Sequence, residues 1–170
     1  MNWLKLSGYR KGSEVSRWHT QRPVWPETVG HHSANVALLC DLISEGGCSR
    51  DLLYAALIHD LAEVATGDIP APIKKAYGWL KKSAVAAEED WFILHDIEPP
   101  HLSENEALLL KACDTLDLCL KAHQEVSLGN QAFEQVFTNG VSYLDLVNLP
   151  GRQKAMIQTI LEGLTNDTSK

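Results

Sequence analysis

Apolar residues recur at three- and four-residue spacing along most of this chain, and strand-like alternation is nearly absent. That periodicity predicts an all-α protein, a compact bundle of about six helices over residues 29–45, 50–65, 74–95, 103–128, 131–138 and 150–164. Residues 1–12 read as a short helix or turn closed by Gly8 and Gly12, and residues 21–28, with Pro23 and Pro26, as a loop. Gly46-Gly47 ends one helix, and Ser49 or Arg50 opens the next. Ser103-Glu-Asn-Glu106 is a capping-box pattern, so the helix carrying Lys111 and Asp114 starts there. Thr66-Gly-Asp-Ile-Pro-Ala-Pro72 reads as a break, with Gly67 free to turn left-handed and Pro70 stopping helical continuation. No repeat, low-complexity stretch or domain-scale linker appears, so residues 1–170 are expected to form a single domain.

Polar residues inside the apolar pattern change the picture. His59-Asp60 interrupts a run whose apolar face is Leu52, Leu53, Ala56, Leu57 and Leu61. Burying an imidazole beside a carboxylate costs several kcal/mol unless something compensates, and a divalent metal does so naturally. Glu63 follows His59 by one helical turn and is placed to act as a separate acid or base. Taken alone, the pair also fits a hydrogen-bonded core histidine beside solvated acids. His32, at the start of another amphipathic helix, and Asp114, inside a third, complete a mixed nitrogen and oxygen donor set. Such a set suits Mn, Fe, Co, Ni or Zn, and the order of affinities does not choose among them.

The order His32, His59-Asp60, Asp114 resembles the H…HD…D signature of the HD-domain metal-dependent phosphohydrolases. Further blocks, Arg17-Trp18, Glu27-Thr-Val-Gly-His-His-Ser33, His59-Asp60-Leu-Ala-Glu-Val-Ala-Thr-Gly-Asp-Ile-Pro-Ala-Pro-Ile-Lys74 and Lys111-Ala-Cys-Asp114, resemble the bacterial 5′-deoxynucleotidase branch. They are similar in equal measure to the small phage-type dATP triphosphohydrolases. The resemblance implies hydrolysis of deoxynucleoside 5′-phosphates, as monophosphates, triphosphates or both, in control of nucleotide pools. It implies a catalytic divalent ion on His32, His59, Asp60 and Asp114, with Mg joining when the substrate is a triphosphate. It gives Glu63 the acid/base role and Asp68 a place in the catalytic set. Arg17 becomes a two-pronged phosphate clamp, with Lys74 and Lys111 as point charges along a longer phosphate chain. Trp18 falls beside the sugar, where an indole wall would reject a 2′-hydroxyl, and Thr20 and Pro72 line the base and sugar pocket. Of the two adjacent histidines it is His32, followed by Ser33, that aligns with the family ligand; many relatives carry an acidic residue where His31 stands.

The net charge of −7 and a pI near 5.4 disfavour a nucleic-acid polymer as partner, which makes the few cations in these blocks more informative. The four cysteines, Cys40, Cys48, Cys113 and Cys119, show no CxxC spacing, and reduced thiols in the cytoplasm, or in a host's cytoplasm for a phage protein, are the default. No apolar run approaches the ~20 residues of a membrane span. Cys113 and Cys119 read as core, and Trp3, Trp25, Trp79 and Trp91 as packing residues. His19, His95, His101 and His123 read as surface or polar-core residues. The stripe Met156, Ile157, Ile160, Leu161 and Leu164 suits burial against a second copy, making a homo-oligomer plausible, or packing on the protein's own core. Two other functions stay open beside deoxynucleotide hydrolysis: an HD enzyme for another phosphate ester, such as a cyclic dinucleotide or alarmone, and a non-catalytic nucleotide-binding module.

Overall fold

The computed structural model describes residues 2–45 and 47–167, so Gly46 lies outside the described residues. The architecture is all-helical. In chain order the helices are α1 (Trp3–Ser13), α2 (Val29–Ile43), α3 (Arg50–Ile58), α4 (Ala71–Ala76), α5 (Gly78–Leu94), α6 (Glu104–Ser127), α7 (Glu134–Leu146) and α8 (Gly151–Asp167). Two 3₁₀ turns, Leu61–Val64 and Gln131–Phe133, join them. Among the described residues the isolated bridge between Ser16 and Thr28 is the one extended pairing.

Side-chain caps set several helix starts. Asn2, Thr28, Ser49 and Ser103 each accept a hydrogen bond from a backbone N–H in the first turn of α1, α2, α3 and α6. The expected capping box forms: Ser103 Oγ accepts from Glu106 N at 3.3 Å, and Glu106 Oε2 accepts from Ser103 N at 3.0 Å. Ser49 Oγ also donates to Glu106 Oε1 at 2.6 Å, tying the starts of α3 and α6 together.

Two apolar clusters hold the helices. One gathers Val36, Cys40, Ile43, Leu52, Ala56, Leu109, Cys113, Leu116 and Cys119 with Leu144 of α7 and Ile157 and Leu161 of α8. The other gathers Val29, Ile58, Leu61, Ala62, Trp91 and Ile97. Helices α2 and α3 contribute to both.

Several expected boundaries shift, each for a stated cause. The helix expected over 50–65 ends at Ile58, because Asp60 adopts φ −107° and ψ 1° before the chain tightens into the 3₁₀ turn. The helix expected over 74–95 splits at Tyr77, whose φ of −121° and ψ of 83° interrupt the backbone ladder between α4 and α5. The short helix expected over 131–138 becomes a 3₁₀ turn followed by α7, which runs on to Leu146 through Gly140. A Cβ at Gly140 would lie 2.5 Å from Cys119 Sγ, so this glycine permits close packing of α7 on α6 and does not end the helix. Gly8 and Gly12 likewise lie inside α1 and face His95 and Leu61.

Trp91 is buried as expected, whereas Trp3, Trp25 and Trp79 are 71%, 60% and 68% exposed. Each of those three sits at a helix start or in the 21–28 loop, where no element covers its outer side. The carboxyl-terminal stripe packs on its own core, with Ile157 and Leu161 buried and Ile160 and Leu164 half-buried against them. All four cysteines are free thiols; Cys40, Cys113 and Cys119 are buried. No helix among the described residues is long and apolar enough to cross a membrane.

Gly12 has the tightest bearing on function, because a Cβ there would fall 2.6 Å from the carbonyl oxygen of Leu61, in the turn just after Asp60. Gly12→Ala is expected to lower stability by about 1–3 kcal/mol, the usual cost of forcing one carbon into a filled space. Chemical denaturation measures it, and an unchanged midpoint would show that α1 moves aside freely.

Candidate metal centre

Three elements bring the four expected ligands together. The backbone pairing of residues 15–17 with 27–29 fixes the entry to α2: Val29 N donates to Val15 O at 2.8 Å and Arg17 N to Glu27 O at 3.0 Å. His32 then lies in the first turns of α2, fully buried. Adjacent residues on a regular α-helix project about 100° apart, so an unbroken helix would aim His59 and Asp60 in different directions. Ending α3 at Ile58 lets both side chains reach one point. Asp114 comes from α6.

His32 Nε2 lies 3.1 Å from Asp114 Oδ1 and 3.6 Å from Asp60 Oδ2, while His59 Nε2 lies 3.4 Å from Asp60 Oδ2 and 4.0 Å from Asp114 Oδ1. One donor atom from each of His32, His59, Asp60 and Asp114 falls within 4.8 Å of the other three. Neither Nε2 has an aligned hydrogen-bond partner although both are buried. Two imidazoles and two carboxylates that face a shared centre with orphaned nitrogens fit a divalent cation.

The other ring nitrogens are spoken for. His59 Nδ1 donates to Ala56 O at 2.8 Å, and His32 Nδ1 is 2.6 Å from Asp117 Oδ2. Such bonds fix the tautomer and turn Nε2 toward the centre. Glu27, His32 and Asp117 form a second cluster of donor atoms within 4.8 Å, but Asp117 already occupies His32 Nδ1. Asp117, one turn beyond Asp114, escaped the sequence reading. Its signal was nonetheless present: Lys111, Asp114, Asp117, Lys121 and Glu125 recur at three- and four-residue spacing within an apolar helix.

Cations offset the acidic cluster. Arg17 Nη1 donates to Asp60 Oδ2 at 2.8 Å, and Lys111 Nζ donates to Asp114 Oδ2 at 2.6 Å. Burial works against the Asp114 carboxylate, yet the adjacent His32 and the Lys111 charge hold it far below the usual carboxylate range. Burial also opposes a charged His32, but the carboxylates of Asp114 and Asp117 beside it raise it to about 9 in the metal-free protein.

Glu63, in the 3₁₀ turn, is buried, with Oε1 3.6 Å from Lys74 Nζ and Oε2 unpartnered. Burial, joined by the negative charges of Asp60 and Asp68, pushes it up to about 8 against the pull of Lys74 and Arg17. Asp68 Oδ2 accepts from Trp18 N at 3.2 Å, and Gly67 has the expected left-handed backbone at φ 74°. The Trp18 indole packs on Phe133, ring centroids 5.2 Å apart, and its Nε1–H donates to Glu27 Oε2 at 2.8 Å. Thr20 and Pro72 are exposed, Thr20 in the turn after Trp18 and Pro72 in the first turn of α4.

A second charged network pins the loop ahead of Glu27. Glu125, fully buried, accepts from Val24 N at 2.6 Å, Trp25 N at 3.2 Å, Lys121 Nζ at 2.8 Å and Asn130 Nδ2 at 3.0 Å. Burial alone would raise this carboxyl; the four donors lower it to about 2. Neither Lys121 nor Glu125 lies in a motif that marks it in the sequence.

The family model described as 5′-deoxynucleotidase YfbR-like matches residues 10–94. The 5′-deoxynucleotidase YfbR of Salmonella typhi is 31% identical over 158 residues, covering 78% of this chain and 77% of that protein. A 5′-deoxynucleotidase of Yersinia pestis (strain Pestoides F) is 32% identical over 143 residues, covering 71% and 73%. Among solved structures, the cyanophage S-2L HD phosphohydrolase DatZ, bound to dA and one catalytic Zn2+ ion, superposes with a TM-score of 0.71 at 21% identity, covering 94% of this chain and 96% of that one. An HD-domain phosphohydrolase from Listeria innocua gives 0.72 at 21% identity, covering 95% and 86%.

The pKa displacements set a pH dependence. An unfolded chain gives up the His32 proton near 6.5 whereas the folded, metal-free chain keeps it to about 9, so the stability it carries is lost as pH rises through that window. Glu63, raised from 4.5 to about 8, acts in the same direction, whereas the stability carried by the depressed carboxylates Asp60 and Asp114 is fully present above their unfolded value of 3.8 and changes only below it. A cation needs His32 Nε2 deprotonated, so metal binding strengthens over the same range. Thermal melts of chelator-stripped protein are expected to fall between pH 6.5 and 9 while the gain from added metal grows. A metal-free melting temperature that holds or rises across that range would contradict this account.

Proposed function

This chain belongs to the YfbR-like 5′-deoxynucleotidase family, and from that membership and the geometry of the metal centre we propose that it hydrolyses deoxynucleoside 5′-phosphates. The observation that carries the reading is the convergence of two orphaned imidazole nitrogens and two carboxylates beside a buried arginine. The 5′-monophosphate is the primary substrate, in keeping with the names of the relatives that share about a third of their residues with this chain over more than two-thirds of their length. Two further cations, Lys74 at Glu63 and Lys111 at Asp114, favour a triphosphate as second substrate, since they supply charge along a longer phosphate chain.

When bound at His32, His59, Asp60 and Asp114, a divalent cation supplies charge neutralisation at the phosphoryl group and a more acidic water. Mn, Fe, Co, Ni and Zn all suit the donors. The residues around it do the rest. Arg17, with Nη1 fixed on Asp60 and Nε beside Glu27, presents its Nη2 edge to phosphate oxygens. Glu63 lies outside the ligand set and holds or accepts a proton at Oε2, the acid/base role, while Asp68 anchors the Trp18 backbone next to it. Trp18 closes the pocket on the 2′ side of the sugar; Thr20 and Pro72 border the base and sugar. Phosphoryl transfer asks mainly for such positioning and charge compensation. The protein works as a cytoplasmic enzyme of nucleotide-pool control.

The test is release of phosphate or triphosphate from dAMP, AMP, dATP and ATP with Mn, Co or Mg added. Turnover of deoxynucleotides above ribonucleotides supports the reading, and turnover confined to other phosphate esters refutes it. In the same assay, Glu63→Ala is expected to keep its metal and to lose turnover by roughly 10²-fold or more, the scale of a general acid or base. Wild-type turnover in that variant would remove Glu63 from the mechanism.

A further inference from the structure

Arg17 and Trp18 are neighbours in an irregular segment, and each has a different task in the proposed reaction. In extended backbone, adjacent side chains point to opposite sides. Trp18 departs from this with φ 61°, a left-handed conformation that a non-glycine residue adopts only at a steric cost. The turn brings the indole back beside the guanidinium, whose Cζ lies 5.7 Å from the ring centroid.

Both side chains arrive at one atom. Oε2 of Glu27 accepts from the Trp18 indole at 2.8 Å and lies 3.5 Å from Arg17 Nε, while the Glu27 carbonyl oxygen accepts from Arg17 N at 3.0 Å. Glu27 is itself buried, and its side chain and that of Arg17 are about nine-tenths enclosed. A buried indole N–H seeks a partner, and a charged acceptor gives a bond roughly twice as strong as a neutral one. Phe133 packs on the ring, and the bond to Glu27 adds a directional anchor at the indole Nε1.

We propose that Glu27 is the positioning residue that sets sugar selectivity, holding Trp18 against the 2′ side of the substrate while it squares Arg17 to the phosphate. This rests on the deoxynucleotide reading above. Glu27 touches no reacting atom; it acts through the two side chains it grips. It also couples them, since any displacement of the indole relaxes the guanidinium and the reverse.

The experiment compares Glu27→Met, Glu27→Gln, Trp18→Phe and wild type by kcat/KM for dAMP and AMP. Metal content and the ¹H resonance of the Trp18 indole N–H, identified by its loss in Trp18→Phe, are measured in parallel. Glu27→Met removes the acceptor and the charge, and is expected to narrow the deoxy-to-ribo ratio about 10-fold or more, the worth of an apolar wall, with metal content unchanged and the indole resonance displaced. Glu27→Gln keeps an acceptor oxygen, so it should retain most of the ratio while KM rises from the loosened Arg17. Trp18→Phe, which deletes only the indole end that Glu27 holds, should narrow the ratio even if Glu27→Met fails to fold. A wild-type ratio in both Glu27→Met and Trp18→Phe overturns the inference, as does an equal loss in Glu27→Gln and Glu27→Met, or an indole resonance indifferent to Glu27. Wild-type protein without any deoxy preference would instead overturn the deoxynucleotide reading itself.

Discussion

Gathering two carboxylates and two imidazoles at one buried point is the constraint around which this fold is arranged. Like charges a few ångströms apart in a partly dry interior repel strongly, and each group loses its water. The structure answers with fixed opposite charge: Arg17 on Asp60, Lys111 on Asp114, and Asp117 behind His32. The metal-free centre also retains protons, on His32 to about 9 and on Glu63 to about 8. A divalent cation displaces the first of these, and the centre is built for that exchange.

Local backbone geometry follows from the same demand. An uninterrupted helix over residues 50–65 would splay His59 from Asp60, so α3 stops at Ile58 and the chain turns through Asp60 into a 3₁₀ segment. That turn is held from outside by α1, through the close approach of Gly12 to Leu61. On the other side of the centre, Glu125 gathers the loop containing Val24 and Trp25, which leads directly into Glu27, Thr28 and the start of α2. Two buried acids outside the four-donor set thus grip this side of the protein, Glu27 on Arg17 and Trp18 and Glu125 on the loop that leads into α2.

The four candidate donors were marked in the sequence by the His59-Asp60 pair and by the resemblance of the order His32, His59-Asp60, Asp114 to a known signature, and the all-helical class was legible because it depends on local periodicity. The capping box at Ser103 was legible for the same reason. What sequence reading missed depends on contacts between distant segments. Gly8 and Gly12 read as closing a short segment, yet they lie inside α1 at points of close packing on His95 and Leu61. The carboxylates of Asp117 and Glu125 look solvated until α6 is seen to turn its charged stripe inward, toward α2 and the 21–28 loop. Trp3, Trp25 and Trp79 look like core by composition, but the elements they begin or border leave them uncovered. The carboxyl-terminal stripe had two possible destinations, and only tertiary structure shows that α8 turns it onto its own core.

If the four donors form a single site, their contributions are inseparable, because deleting Asp60 removes an oxygen ligand and also the carboxylate that holds Arg17 Nη1. The direct measurement is metal content, by elemental analysis, of purified wild type and Asp60→Ala together with their rates on dAMP. The account predicts about one equivalent of tightly held divalent metal in the wild type and, in the variant, loss of metal and activity together. An Asp60→Ala protein that retains full metal and full turnover would contradict it.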